Sequence, residues 1–433
     1  MPERPASLVT LAFFVVLLRD YLMTILLPEE FVAPDYAGGS IANVPATVAG
    51  WLGVPFDGLP PLHAALHGPL PGRVRRVVLL LIDGMGQNLV PVVEEAYPQL
   101  LARAAIRGQL TSIFPSTTVA ALSSLWTGVA PAQHGLLGLR LFFPELATQG
   151  QMIKMSPEFI AEADALIPAG IEPTNFLDHP GVAEQLAAAR IPTYSFKGRE
   201  IVRSALSKMH GRGAKHQFGI VSAADMFVQI ARLLEEKPGK PLFASAYWPA
   251  VDSLSHYHGY DSPNTAAELR AVLDLLLREF WERLSPAARR DTLLCVLADH
   301  GQINTPAGQR IFLADHPALQ AGLLMYPAGE PRTAYLYARQ GHAQAVLAYI
   351  QAHLSHAMVA YPAGEALDAG LFGPPPYSPR TPERLGDLVV VMRDGYALLT
   401  EQESQFMVNL IGRHGGMSAA EMLVPWWVFP LDS

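Results

Sequence analysis

The feature that most constrains this chain is a pair of continuous apolar runs that each end on an aspartate. Val77-Val-Leu-Leu-Leu-Ile82 leads into Asp83-Gly84, and Leu293-Leu-Cys-Val-Leu-Ala298 leads into Asp299-His300-Gly301. Runs of β-branched and leucine side chains, apolar on both faces, suit central parallel strands covered on both sides. A third run, Leu242-Phe-Ala-Ser-Ala-Tyr247, reaches Asp252 within one short loop, and a fourth, Asp387-Leu-Val-Val-Val-Met392, turns at Arg393-Asp-Gly395. Helical patterns lie between them, at Ala223 to Glu236 and Thr265 to Leu284. This alternation predicts an α/β fold with a mostly parallel central sheet flanked by helices. In such sheets ligands gather at the carboxyl ends of the strands, which is where the aspartates fall.

Composition narrows the partners. Half of the 433 residues are apolar and 16% are charged, enough for a sizeable core and too apolar for bulk disorder. The formal charge is −8 and no Lys/Arg-rich stripe appears, so nucleic acid as a bulk partner is disfavoured. A negative protein acting on small negative substrates needs local positive charge, which bound divalent cations would supply. The lone cysteine, Cys295, allows no internal disulfide and reads as a small buried strand residue.

The organisation expected is an N-terminal extension over 1–30 and a catalytic domain over 31–433. Leu8 to Leu18 is almost wholly apolar, but Arg19-Asp20 interrupts before Tyr21 to Leu27 resumes. That is about half of a spanning helix, and no A-x-A cleavage pattern follows. A dispensable extension, with Met23 as an alternative start and a cytoplasmic location, is favoured over a signal or membrane anchor. Within the catalytic domain, 140–220 lacks strong sheet runs and reads as a cap insertion. Residues 307–385 read as a small α/β insert, with Thr333 to Ala338 and Ala357 to Tyr361 extended and a helix near His342 to Leu354.

The acidic and histidine residues at the strand ends are Asp83, Asp252 with His256 four residues on, Asp299-His300, and His414 in Arg413-His-Gly-Gly416. Carboxylate oxygen and imidazole nitrogen together suit zinc, manganese or iron. Three of each suffice for two ions that clamp the attacking and leaving oxygens of an in-line displacement. A nucleophile is offered by Thr111-Ser-Ile-Phe-Pro-Ser-Thr-Thr118, which precedes a helical stretch to Thr127. A hydroxyl run at a helix N-terminus meets backbone N–H groups that favour a phosphate. Plain N-capping by Ser116, Thr117 or Thr118 is the alternative. A threonine hydroxyl becomes a competent nucleophile at neutral pH when metal coordination lowers its pKa.

Ile82-Asp-Gly84, Phe114-Pro-Ser-Thr-Thr118, Thr127-Gly128, His134-Gly135, Asp252 with His256, Asp299-His-Gly301 and His414-Gly415 together resemble the type I phosphodiesterase/nucleotide pyrophosphatase family of the alkaline phosphatase superfamily. The resemblance runs from about Asp35 to Pro425. It implies that Asp252, His256 and His414 hold one ion, most often zinc in the family. Asp83, Asp299 and His300 hold the other, which also binds the oxygen of Thr118, the nucleophile. Two departures stand out. Val119-Ala-Ala121 follows the threonine where nucleotide-cleaving relatives often have Phe-Pro-Asn. Leu136-Leu-Gly-Leu-Arg140 lacks the asparagine that donates to the phosphoryl oxygen in relatives. Arg140 is a candidate replacement for that donor, against a structural role. The expected activity is hydrolysis of a small phosphoester through a phosphothreonine. The rivals are a phosphomonoesterase or phosphonate hydrolase on the same scaffold, and an inactive metal-binding relative.

Overall fold

The computed structural model describes residues 25–432 apart from positions 71, 402 and 404. The apolar N-terminal run and its proposed alternative start at Met23 lie outside them. Among the described residues no helix is long and apolar enough to cross a membrane.

The central sheet has seven strands: β1 (Arg76–Ile82), β2 (Ile106–Thr111), β3 (Thr193–Gly198), β4 (His216–Ile220), β5 (Leu242–Trp248), β6 (Thr292–Leu297) and β7 (Leu423–Pro430). Their order across the sheet is β2-β7-β6-β1-β5-β3-β4. β1 lies parallel to β5 and β6, and β3 lies parallel to β4 and β5. Only β7 runs against the rest, pairing antiparallel with β2 and β6. Every residue of β1 and β6 is buried, as their unbroken apolar sequences require.

The two-residue period of a strand sorts β1 between two layers. Val78 and Leu80 face Phe227 and Ile230 of helix α2 (Ala223–Glu236), with Leu276 and Phe280 beside them. Leu79 and Leu81 face Leu122 and Leu125 of helix α1 (Thr118–Thr127). Each such side chain contributes about 1.5–3 kcal/mol relative to exposure. The helix expected over Thr265 to Leu284 forms as Pro263–Leu275 and continues through a π-helical turn at Leu276–Trp281.

Two readings change. Residues 140–220 are not strand-poor. Arg140–Phe143, Thr148–Gln151 and Ser156–Pro157 are strands of a second sheet, while β3 and β4 form an edge of the central one. Thr148-Gln-Gly-Gln151 and His216-Gln-Phe-Gly-Ile220 carry too few apolar residues to announce themselves. The run Leu388–Met392 is a buried strand, but it belongs to the second, antiparallel sheet, between Thr333–Leu336 and Met358–Pro362. Val389 and Val391 pack into one apolar cluster, and Leu388, Val390 and Met392 into another. Burial on both faces gives an antiparallel strand the same sequence signature as a central parallel one.

Candidate active site

Asp83 directly follows β1, and its N–H donates to the carbonyl of Trp248 at the end of β5 (3.0 Å). Gly84 has φ +73°, and a Cβ there would lie 2.8 Å from Cα of Asp252, so only glycine lets these two strand ends close together. Asp252 and His256 share one face of helix α3 (Ala250–His258), which begins just after β5. Asp299 and His300 follow β6. His414 is carried in by a two-residue ladder in which Ile303 pairs with Arg413 and Asn304 with Gly412. The six residues singled out as ligands thus converge at the carboxyl end of the sheet.

Their ligand atoms form two groups, Asp83/Asp299/His300 and Asp252/His256/His414, each with its atoms within 4.8 Å of one another. The histidines share one arrangement. Nδ1 of His256, His300 and His414 lies 2.7, 3.1 and 3.1 Å from the carbonyls of Gly412, Gly301 and Ser116. A carbonyl only accepts, so Nδ1 carries the hydrogen and Nε2 presents a lone pair. Yet Nε2 faces carboxylates: His300 lies 3.5 Å from both Asp83 and Asp299, His256 lies 3.4 Å from Asp252, and His414 lies 3.8 Å from Asp252. Lone pairs pointing at anions repel unless a cation sits between them, and this donor set fits divalent ions of the zinc type.

The electrostatics agree. Burial first, then the neighbouring Asp299 and Asp252 carboxylates, push Asp83 well above the usual carboxylate range. Burial likewise raises Asp299. His414 is held well below its ordinary value by burial and by His300 and His256. Oδ1 of Asp83 and Oδ2 of Asp299 are buried with no hydrogen-bond partner. Two orphaned carboxylate oxygens in one buried cluster call for a counter-charge.

Thr118 is the first residue of α1, and its Oγ1 lies 3.0 Å from Nε2 of His300. The hydroxyl run does not cap the helix. Oγ of Ser116 donates to the carbonyl of Gly416 (2.7 Å), the Thr117 side chain bonds Glu330, and Thr117, the N-cap residue, makes no side-chain capping bond. The first-turn N–H groups of α1 therefore stay available beside Thr118. Thr118 also lines an open cleft of about 390 Å³ with Asp252, His256, His414, Glu330 and Lys154.

Arg140 sits elsewhere. Its guanidinium donates to Glu403 at 2.8 Å and Glu158 at 3.2 Å, and both carboxylates are largely buried. Its charge is thereby balanced by residues outside the cleft lining.

Several site residues were not singled out in the sequence. The Tyr247 hydroxyl donates to Oδ2 of Asp83, and Nε2 of Gln302 donates to the Asp252 carboxylate and its carbonyl. Glu330, in a turn of the second sheet, accepts from the Leu139 N–H (2.8 Å), and burial raises its pKa to about 7. Arg332 and Glu421 form a fully buried bidentate pair (2.9 and 2.7 Å), and Glu421 also accepts from the Gly416 N–H (2.8 Å), fixing the loop that holds His414. Tyr247 could have been read from the alternation of β5, which points it to the same face as Ser245. The others needed the fold.

The sequence profile of the type I phosphodiesterase / nucleotide pyrophosphatase family matches residues 77–417. No curated protein sequence matches the chain. Among solved structures, murine ectonucleotide pyrophosphatase/phosphodiesterase 5 superposes with a TM-score of 0.58 at 17% identity, covering 81% of this chain and 87% of its own. The human protein gives 0.56 at 17% identity, with 82% and 87% covered. Phosphonoacetate hydrolase from Sinorhizobium meliloti 1021, in complex with phosphonoformate, gives 0.58 at 18% identity, with 81% and 89% covered. These likenesses establish the alkaline phosphatase-like fold. The profile spans most of the chain, and the chain belongs to the type I phosphodiesterase/nucleotide pyrophosphatase family, a family of phosphoester and pyrophosphate hydrolases.

Proposed function

We propose that this protein hydrolyses phosphodiesters in two in-line steps through a phosphothreonine at Thr118. Asp83, Asp299 and His300 would hold one divalent ion, and Asp252, His256 and His414 a second; zinc suits the donors best and manganese is the alternative. One observation carries the reading: Thr118 Oγ1 touches His300 of the first group and lines one cleft with all three members of the second. When bound, the two ions supply Lewis acidity to the phosphoryl oxygens and lower the pKa of a hydroxyl beside them. The protein's own part is positional. The first turn of α1 offers N–H groups and the positive end of its dipole to a phosphoryl oxygen, which supports it as the donor in place of the missing asparagine. Thr118 Oγ1 forms the new P–O bond as the bond to the leaving alcohol breaks. Water then hydrolyses the phosphothreonine, releasing a monoester and restoring the hydroxyl.

Diesters are favoured because the cleft holds no arginine fork for a second negative charge; Lys154, the lysine in its lining, is a single point charge. A monoester approaches two charges on three oxygens, and enzymes that take it usually add an arginine fork. Here the arginine lining the cleft, Arg413, turns to the carbonyls of Met407 and Val408 and to Thr305 Oγ1. Arg199, Arg203 and Arg212 are not among the cleft-lining residues, and Arg212 is tied to the carbonyls of Thr174, Leu177 and His179. Arg140, held by two carboxylates, has no part in substrate contact. The test is kcat/KM for matched nitrophenyl mono- and diesters with protein reconstituted in zinc and in manganese. A diester advantage is expected, and a monoester advantage of about tenfold or more overturns it.

A further inference from the structure

A second opening leads off the nucleophile. Thr118 lines not only the cleft but also a more enclosed cavity of about 130 Å³ between α1 and strands β1, β5 and β3. Much of its wall is apolar core, such as Leu79, Leu81, Leu122 and Leu125. The polar part follows the strand period. Ser195 and Lys197 on β3, and Ser245 and Tyr247 on β5, all reach the cavity, and Ser195 and Ser245 are register partners on adjacent strands. Interior strands ordinarily place Val, Ile or Leu at such positions, as the neighbouring β1 does. A hydroxyl pair and an ammonium on one interior face require another explanation.

Lys197 supplies it. It is 6% exposed, donates to Oγ of Ser207 at 3.2 Å, and lies 5.7 Å from the centre of the Trp126 ring. No carboxylate pairs with it among the described residues, and burial lowers its pKa to about 8. Other buried cations are accounted for. Arg140 and Arg332 have carboxylates, while Arg76 and Arg384 donate to backbone carbonyls. An ammonium has three donors, and taking it out of water without a counter-charge costs several kcal/mol. The hydroxyls of Ser195 and Ser245 likewise have no partner among the described residues.

We infer that this cavity is a second anchoring point for the substrate, receiving a short apolar substituent of the phosphoester that ends in one carboxylate, bound by the Lys197 ammonium beside the Ser195 and Ser245 hydroxyls. One cation balances one negative charge, so a carboxylate fits and a near-dianionic phosphate leaves charge buried. The volume is below the ~300 Å³ of a site for a drug-sized ligand, so the cavity takes a few carbons, not a nucleoside. Because Thr118 belongs to both walls, a group on phosphorus can enter the cavity while phosphorus stays on the nucleophile. This inference rests on the phosphoester hydrolase reading, and the two are tested apart.

The probe pair is 2-carboxyethyl phenyl phosphate and its carboxamide, titrated calorimetrically into zinc-reconstituted Thr118→Ala protein, where binding is read without turnover. The acid is expected to bind at least about tenfold tighter than the amide. In the Thr118→Ala, Lys197→Met protein that ratio should fall to within about twofold of one. Ser195→Ala in place of Lys197→Met should lower it severalfold and serves as a second variant of milder change. Equal binding of acid and amide with Lys197 intact, no measurable binding of the acid, or a ratio that survives Lys197→Met overturns the inference. Turnover of the same two esters by the unsubstituted enzyme reports separately on the hydrolase reading.

Discussion

The two ligand groups share chemistry but not surroundings. Asp83, Asp299 and His300 have side chains 2%, 0% and 0% exposed and follow the two adjacent central strands β1 and β6. Asp252, His256 and His414 are 13%, 22% and 10% exposed and come from a helix and a loop that line the open cleft. The first group is sealed beneath Thr118, the proposed nucleophile, while the second lines the cleft open to solvent. A sealed carboxylate pair depends on its counter-ion for stability as well as for reactivity, because unpaired buried charge is costly. An ion held by the open group would be released and rebound with less strain.

The largest expected effect cuts across both groups. Thr118→Ala should lower kcat by about 10⁴-fold or more while metal content stays near two ions per chain by elemental analysis. Thr117→Ala should be far milder, because its side chain is spent on Glu330; if it is the dead variant of the two, the nucleophile is misassigned. The next effect separates the groups. During titration with a chelator, the ion held by Asp252, His256 and His414 should leave first. His414→Ala protein should retain about one ion, whereas Asp299→Asn should also lower the melting temperature markedly. Simultaneous loss of both ions, or an unchanged metal count in His414→Ala, breaks the comparison.

A smaller effect concerns the scaffold of the open group. Arg332→Met leaves Glu421 buried without its partner and frees the Gly416 loop, so it should cost about 3–5 kcal/mol of stability and about 10- to 100-fold in affinity for the second ion. Restoring both side chains' packing in Arg332→Met, Glu421→Leu should recover stability without recovering that affinity, since the Gly416 N–H loses its acceptor.

The smallest effect is a pH dependence. Lys197 has a folded pKa near 8 against about 10.5 in the unfolded chain. Between those values the unfolded state binds more protons, so stability rises with pH through that window. Lys197→Met should therefore be more stable than the parent at pH 7, by an amount of order 3 kcal/mol, with the gap closing as pH rises from about 8 to 10.5. Equal melting temperatures at pH 7 would show that the ammonium already has a counter-charge.

The contrast also explains what could be read in advance. Asp83 and Asp299 were legible because each ends an apolar run, and Asp252 and His256 because a helix places i and i+4 on one face. His414 was visible only beside its glycines, and the motif resemblance gave it a role. Glu330, Gln302 and Lys197 were not legible. Each is one polar residue in an unremarkable stretch, brought to the site by pairing across the chain. The second sheet was half-read for the same reason: its apolar run over Leu388–Met392 stood out, while Thr148–Gln151 and Ser156–Pro157 did not.

The position of β7 has a consequence in time. It lies between β2 and β6 and runs against both, yet it is made by the ribosome after the other six strands. Until it arrives, β2 has no neighbour in the sheet, and neither the carbonyl of Met422 that accepts from the Ser112 N–H nor that of Glu421 that accepts from the Gly301 N–H is in place. A growing chain can therefore pair β1, β5 and β6, with Asp83, Asp252, Asp299 and His300 at or just beyond their ends, before β2 and the Thr118 that follows it are tied in, which happens when this strand closes the gap.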